Sequence, residues 1–415
     1  MMENMSQALQ YEMKDSGVEW IGEVPRHWKL SKMKGFLRNT SIKGHPEAQV
    51  LSLYRDYGVI PKDSRDDNHN VTSEDTASYK FVEIGDLVIN KMKAWQGSLG
   101  LSQYEGIVSP AYYVCKVNAN GLIPKYLHYL IRSKAYAQEF ERLSTGMRVG
   151  QWDLGIDDFL RVPLLLSPLP EQAAIAAYLD DKCSTIDTII AEAKATIEEY
   201  KAWKASVIFE AVTKGLNPDA EMKDSGVDII GQMPSRWSLI RQRFICKTTT
   251  GDHDTQDADP NGEYPFYVRS PNVERSNIYT FEGEAILMAG DGVGAGKVFH
   301  YATGKIAIHQ RVYCFYEFRN IHPRFFYFYM SSLFATEIDK GSAKSTVASV
   351  RLPMLKDFPI CLPSMDEQVT ILTYLDEKCS AIDAVIAEKD ALIAELEAYK
   401  KSLIFETVTG KRRVC

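Results

Sequence analysis

The sequence predicts a mixed α/β (α+β) chain built twice over. Two globular blocks are each followed by a long helix, and the two helices pair antiparallel, coiled-coil-like, about a pseudo-twofold axis. Three observations predict this. "MKDSGVEWIGEVPRHWKL" (13–30) returns as "MKDSGVDIIGQMPSRWSL" (222–239) with 11 of 18 positions identical. "EQAAIAAYLDDKCSTIDTIIAEAKATIEEYKAWKASVIFEAVT" (171–213) returns as "EQVTILTYLDEKCSAIDAVIAEKDALIAELEAYKKSLIFETVT" (367–409), with 25 of 43 positions identical and no gap. The stretches between these repeats share a plan of elements but almost no residues. Self-similarity in a fixed order marks a duplicated structural unit.

The chain has 415 residues, more than one core ordinarily holds. At 45% hydrophobic and 25% charged it reads as globular. No run of 18 apolar residues is present, so no membrane span is expected. The opening residues lack the basic-then-apolar order of a secretory signal. Seven cysteines without a CxxC pair fit reduced, buried thiols in a cytoplasmic protein, with no metal site. The net charge of −7 is unevenly spread. Residues 31–160 carry 16 basic and 15 acidic side chains and residues 241–360 carry 14 and 13, so the acid lies in the connecting segments. Both blocks are thereby free to present basic faces.

Taken in order, residues 1–30 hold the first short segment and 31–163 the first block. Residues 164–215 form the first long helix with its ends. The second copy follows as 216–240, 241–360 and 361–415. The short segments are turn-rich, with Gly17, Gly22, Pro25 and Trp28 repeated as Gly226, Gly231, Pro234 and Trp237. Each block opens with short β-type runs broken by Gly, Ser and Pro, such as "EIGDLVINKMKAWQGSLGLSQYEGIVSPAYYVCKV" and "KVFHYATGKIAIHQRVYCFYEF". A helical stretch follows (124–143 and 322–340), then a polar loop ("STGMRVGQW", "GSAKSTVAS") and a proline-flanked apolar strand ("RVPLLLSP", "FPICLPS"). In the long helices Ile175, Leu179, Ile186, Ile190 and Ile197 fall at helical steps, as do Ile371, Leu375, Ile382, Ile386 and Ile393. Roughly 40 residues at 1.5 Å each make a rod of about 60 Å, whose apolar stripe needs a partner. The other repeat is the natural one, and these ten residues are the expected seam.

Catalytic chemistry finds no support. "GDGVGAGKV" (290–298) fails as a phosphate loop, because Asp291 stands where the first glycine belongs and Val298 replaces the Ser or Thr. It reads better as a tight turn, with Lys297 near a phosphate. An adenine methyltransferase needs an Asn/Asp-Pro-Pro-aromatic loop and a nuclease needs clustered carboxylates with a lysine; neither is found. The runs "LDDKCS" and "LDEKCS" read as solvated helix faces.

The "KDSGVEWIGEVPRHW" opening and its echo, "GDLVINKMKAWQGSLGLSQYEGIVSPAYYV", and the "EQ…IAAYLDDKCSTIDTIIAE" start of each long helix carry a resemblance. Together they resemble the specificity subunit of a type I DNA restriction-modification enzyme, over nearly the whole chain. The resemblance implies a non-catalytic subunit whose two blocks are target recognition domains, each reading one half of a gapped, bipartite sequence in double-stranded DNA. It implies that the helices set the gap and dock two modification (methyltransferase) subunits, with restriction subunits as further partners. S-adenosylmethionine, ATP and Mg would serve those partners, leaving this chain no cofactor of its own. It also places the Met13–Leu30 segment near the end of the second helix.

Arg and Lys read guanine edges or hold phosphates, and Asn and Gln read adenine. The candidates in the first block are Asn90, Lys91, Lys93, Gln96, Arg148 and Gln151, with Trp95 assigned to the core. In the second they are Arg269, Asn272, Arg275, Lys297, His309, Gln310, Arg311, Lys344, Ser345 and Thr346. Trp203 and Tyr399, at equivalent helical positions, are the candidates for docking the modification subunits. Two other readings predict different behaviour: an enzyme would act without partners, and a protein-only adaptor would ignore loss of Arg148 or Arg311.

Overall fold

The short repeated segments fold alike because they make the same local bonds. Met13–Asp15 pairs antiparallel with Glu23–Pro25, and Met222–Asp224 with Gln232–Pro234. The aspartate of each copy accepts the Gly17 or Gly226 N–H at 2.9 Å. The lysine of each copy donates to the carbonyl of its tryptophan, Lys14 to Trp28 at 2.9 Å and Lys223 to Trp237 at 2.8 Å. Those glycines sit at φ +72° and +71°, a conformation that a side chain resists. Lys29–Lys32 then pairs with Pro163–Leu166, and Ser238–Arg241 with Pro359–Leu362. Each short segment is thus tied by strand pairing to the end of the block that follows it.

The computed structural model describes residues 11–55, 57–64, 76–146, 152–341 and 349–414. It divides into two compact units, Met1–Ala193 with Ala391–Cys415, and Lys194–Asp390. This division cuts each long helix part-way along its length.

The blocks share a strand plan beneath their different residues. In the first unit Leu37–Thr40, Tyr112–Val117, Leu87–Asn90 and Leu99–Leu101 lie side by side. In the second the matching order is Lys247–Thr250, Val312–Tyr316, Phe281–Ala289 and Phe299–Ile308, extended by Tyr264–Tyr267 and Glu274–Ser276. One face of the second sheet packs Ile286, Met288 and Phe315 against Phe326, Tyr329, Met330 and Phe334 of the helix Pro323–Gly341. The other encloses Ala285, Leu287, Ile306, Ile308, Val312 and Cys314. The first sheet has its own cluster of Leu51, Leu53, Val59, Val82, Val88, Val108 and Val114.

The long helices run Leu169–Lys214 and Met365–Val408. Within the first unit they run antiparallel: Lys400 bonds Asp187 at 2.6 Å, while Arg412 reaches back to Tyr178. Within the second unit Lys204 bonds Asp383 at 2.6 Å, the equivalent pair. The stripe residues are buried, except that Ile386 is partly exposed. Ile371 and Leu375, however, belong to one cluster with Trp237, Phe325, Tyr329 and Ile360. The same cluster takes in Ala211 and Val212 of the other long helix, so these two residues serve the block's core and the helix seam together.

Candidate nucleic-acid interface

Each unit is held together by residues that the two repeats have in common. Trp28 Nε1 donates to Glu171 Oε2 at 2.9 Å, and Trp237 Nε1 to Glu367 Oε2 at 3.0 Å. The same carboxylates take His27 at 2.6 Å and Arg236 at 2.7 Å. On its other side each buried tryptophan lies against the glycine that ends the opposing helix. A Cβ on Gly410 would lie 3.2 Å from the Trp28 ring and 2.3 Å from Pro25 Cγ, and one on Gly215 would lie 3.1 Å from the Trp237 ring. Lys411 Nζ also donates to the Ile21 carbonyl at 3.3 Å, so the first short segment does pack at the end of the second long helix. Gln172, fully buried, accepts the Ile123 N–H at 2.8 Å and donates to the Ser167 carbonyl at 2.7 Å. Gln368 repeats this with His322 at 2.7 Å and Pro363 at 3.1 Å.

Asp180 bonds Lys125 and Tyr129, at 2.5 and 2.8 Å, and Asp376 grips Arg324 with both oxygens. The arginine holds the Asp376 carboxyl below its usual pKa, and burial lifts the Tyr129 hydroxyl far above its own. The first aspartates of "LDDKCS" and "LDEKCS" therefore fasten each block to its helix, on faces whose other polar residues are exposed to solvent as expected. Sequence inspection missed Glu171, Gln172, Asp180 and their counterparts as functional positions. Their identity in both copies, where neighbours vary, was the available signal.

On this common frame the dissimilar loops converge at one place in each unit. The turn after Leu87–Asn90 ("KMKAWQGS") occupies the same topological position as the turn after Phe281–Ala289 ("GDGVGAGK"). In the first unit the Leu154 N–H reaches the Lys91 carbonyl at 3.0 Å; in the second the Val350 N–H reaches the Gly290 carbonyl at 2.8 Å. The strand on the other side of each turn's first strand, Tyr112–Val117 or Val312–Tyr316, completes the site through the pairs Asn90↔Tyr112 and Ala289↔Val312. Among the described residues, Lys91 is thereby brought to Asp153 in the first unit, and Arg269 and Arg311 to Asp291 in the second.

Individual candidates fare differently. Lys93 and Gln96 are exposed on the first turn. Lys91 is bound to Asp153 at 2.8 Å, a hydrogen bond that raises its pKa. Asn90 is buried, its side-chain oxygen accepting the Met92 N–H at 3.2 Å, so it shapes the turn and does not face outward. Trp95 is only half-buried, pairs with Trp152 at 5.3 Å between ring centres and donates to the Met92 carbonyl, so the assignment to the core holds only in part. In the second unit Asn272, Lys297, Gln310 and Arg311 are exposed. Arg269 bonds Asp291 at 2.9 Å. Arg275 is exposed and donates from Nε and Nη2 to the carbonyls of Gly262 and Glu263 at 2.9 and 2.8 Å, which clamps its own loop. His309 is buried and its Nδ1 accepts the Arg311 N–H at 3.0 Å, so in this conformation it shapes its own turn. Burial, and then the Arg269 charge, lower its pKa. Arg148, Gln151, Lys344, Ser345 and Thr346 lie outside the described residues. Trp203 and Tyr399 are both exposed on their helices.

Among the described residues no group of three or more His, Cys, Asp or Glu could hold a metal ion. No described helix is long and apolar enough to cross a membrane.

Comparison with known proteins bears on this arrangement. The family model described as "Type I restriction modification DNA specificity domain" matches residues 234–398. The chain is 26% identical over 181 residues to the Type I restriction enzyme EcoDI specificity subunit of Escherichia coli, a match covering 44% of this chain and 40% of that protein. It is 24% identical over 439 aligned positions to the MjaVIII specificity subunit of Methanocaldococcus jannaschii, covering 98% of both. Among solved structures, a chain from "Structural basis underlying complex assembly and conformational transition of the type I R-M system" superimposes with a TM-score of 0.70 at 14% identity, over 93% of this chain and 99% of that one. That likeness establishes the fold. With a specificity-domain match over residues 234–398 and an end-to-end relative, the chain is similar to the specificity subunits of type I restriction-modification enzymes.

Proposed function

We propose that this chain reads a gapped, two-part DNA sequence, one part with each unit, and brings methyltransferase subunits to it while catalysing nothing itself. The observation that carries this reading is the contrast within the molecule. The bonds of Trp28–Glu171 and Gln172 are repeated by Trp237–Glu367 and Gln368, and Asp180 and Asp376 each hold the first turn of their block's helix, while the loops at the converging strand ends differ in nearly every residue. A constant frame carrying two different polar surfaces suits a reader of two unlike half-sites. Polar and basic side chains on rigidly held turns are the groups that meet base edges and phosphates.

Two modification subunits fit the duplication, since each frame is present twice. The exposed aromatic faces around Trp203 and Tyr399 are the proposed docking points, aromatic residues being enriched where interfaces form. Restriction subunits, when present, would join that assembly. The test is methylome sequencing of a host strain with and without the gene. A two-part N6-methyladenine motif that disappears on deletion supports the reading; in a strain carrying the partner genes, an unchanged methylome removes it.

A further inference from the structure

In the second unit one carboxylate serves two arginines. Asp291 Oδ1 accepts from Arg269 Nη1 at 2.9 Å, and Asp291 Oδ2 lies 3.7 Å from Arg311 Nε. The three residues come from separate loops that glycines allow to touch. A Cβ on Gly294 would meet the Arg269 carbonyl at 2.6 Å, and one on Gly290 would meet the Arg311 carbonyl at 2.9 Å. Gly290 N–H also bonds the Arg311 carbonyl at 2.8 Å. The carboxylate is mostly covered, at 22% exposure, whereas the arginine side chains are 45% and 64% exposed. At the apex of the same turn Val293 is 100% exposed.

Resting on the DNA-reading function proposed above, we infer that Asp291 is a positioning residue for base recognition, holding Arg269, with Arg311 beside it, to read the guanine of a G·C pair in the second half-site. Two arguments favour a base over a phosphate. A guanidinium fixed by a carboxylate has already lost much of its rotamer freedom, which suits bidentate donation to guanine O6 and N7. A carboxylate beside the arginines also repels a phosphate, whereas in the major groove it meets the N4 amino donor of the paired cytosine.

The test uses the full chain with its methyltransferase partners. Bound sequences are first selected from a random duplex library with the wild-type complex. Asp291→Asn, Arg269→Ala and Arg311→Ala complexes are then measured on the selected duplex, on each single-pair change of it, and across salt. Arg269→Ala is expected to lose about 10- to 100-fold discrimination at one G·C pair of one half-site. Asp291→Asn is expected to relax the same pair, with the other half-site read as before. The intact half-site shows that the variants fold. Uniform weakening across all sequences, with the salt slope reduced by about one, would assign the arginines to phosphate and overturn the inference. Unchanged discrimination at every pair, or a wild-type half-site without G·C, would overturn it too. If wild type selects no gapped sequence at all, it is the DNA-reading function that fails.

Discussion

Trp28 and Trp237 are the residues on which each unit is pinned, because both the indole ring and its N–H are committed. The ring covers the glycine at a helix end and the N–H finds a carboxylate, Glu171 or Glu367. A hydrogen bond to a charged group contributes about 1.5–3 kcal/mol when the donor is buried. Glu171→Gln and Glu367→Gln are each expected to cost about 1–2 kcal/mol, read as a lower urea midpoint with an unchanged slope. His128 supplies a pH dependence. Burial, and then the Arg132 charge, lower its pKa to about 4, well below the ordinary value near 6.5. The folded state therefore keeps the ring neutral while the unfolded chain protonates. Stability is complete above pH 6.5 and drains as the pH falls toward 4, by on the order of 2–3 kcal/mol. Urea titrations between pH 7 and pH 4 should show that loss, and His128→Gln should flatten it.

Among elements, the long helices depend on their apolar stripe more than on their ion pairs. Lys204–Asp383 and Lys400–Asp187 are partly exposed, and such pairs contribute about 0–1 kcal/mol. Ile382 is almost wholly buried, so Ile382→Ala should cost about 2–5 kcal/mol through lost transfer energy and a cavity. Ile189 is exposed on the other helix, and Ile189→Ala should stay within about 0.5 kcal/mol. Thermal or urea unfolding of the two variants checks the contrast, and equal losses would remove the stripe as the source of helix stability. The helices themselves were legible from their period and their glycine stops. The strand order of the blocks was not, since short apolar runs do not say which run pairs with which. Nor was it legible that "KMKAWQGS" and "GDGVGAGK" occupy one topological position, because they share no sequence pattern.

For the whole molecule, the DNA-reading function makes specific binding steeply salt-dependent, because phosphate contacts release counterions. A log–log plot of affinity against salt should be linear, losing roughly 0.9 in slope for each phosphate-contacting cation removed. Lys93→Ala and Lys297→Ala are the substitutions to make. Exchanging residues 31–163 for those of a relative should change one half-site and leave the other intact. Removing one turn from both long helices should alter the gap between half-sites and not their bases; a constant gap would detach the helices from that role. Trp203→Ala with Tyr399→Ala should weaken assembly with methyltransferase subunits, measured by co-purification, while leaving the melting temperature unchanged.

What the sequence determined by itself is the duplication and its consequences. Two copies of a 43-residue helical pattern, each preceded by the same turn-rich segment, imply two equal frames, because identical residues in identical order make identical local bonds. Which members of the variable polar loops face outward was decided only by tertiary structure. Asn90 and His309 have the right chemistry for reading bases, yet the fold buries both in their own turns. Asp291 passed unnoticed because an acidic residue does not suggest DNA, until three loops close together and give it two arginines to hold. Periodicity and identity are local properties that a sequence carries openly. The partner of a polar side chain is set by residues far away along the chain, and only the folded molecule brings them within reach.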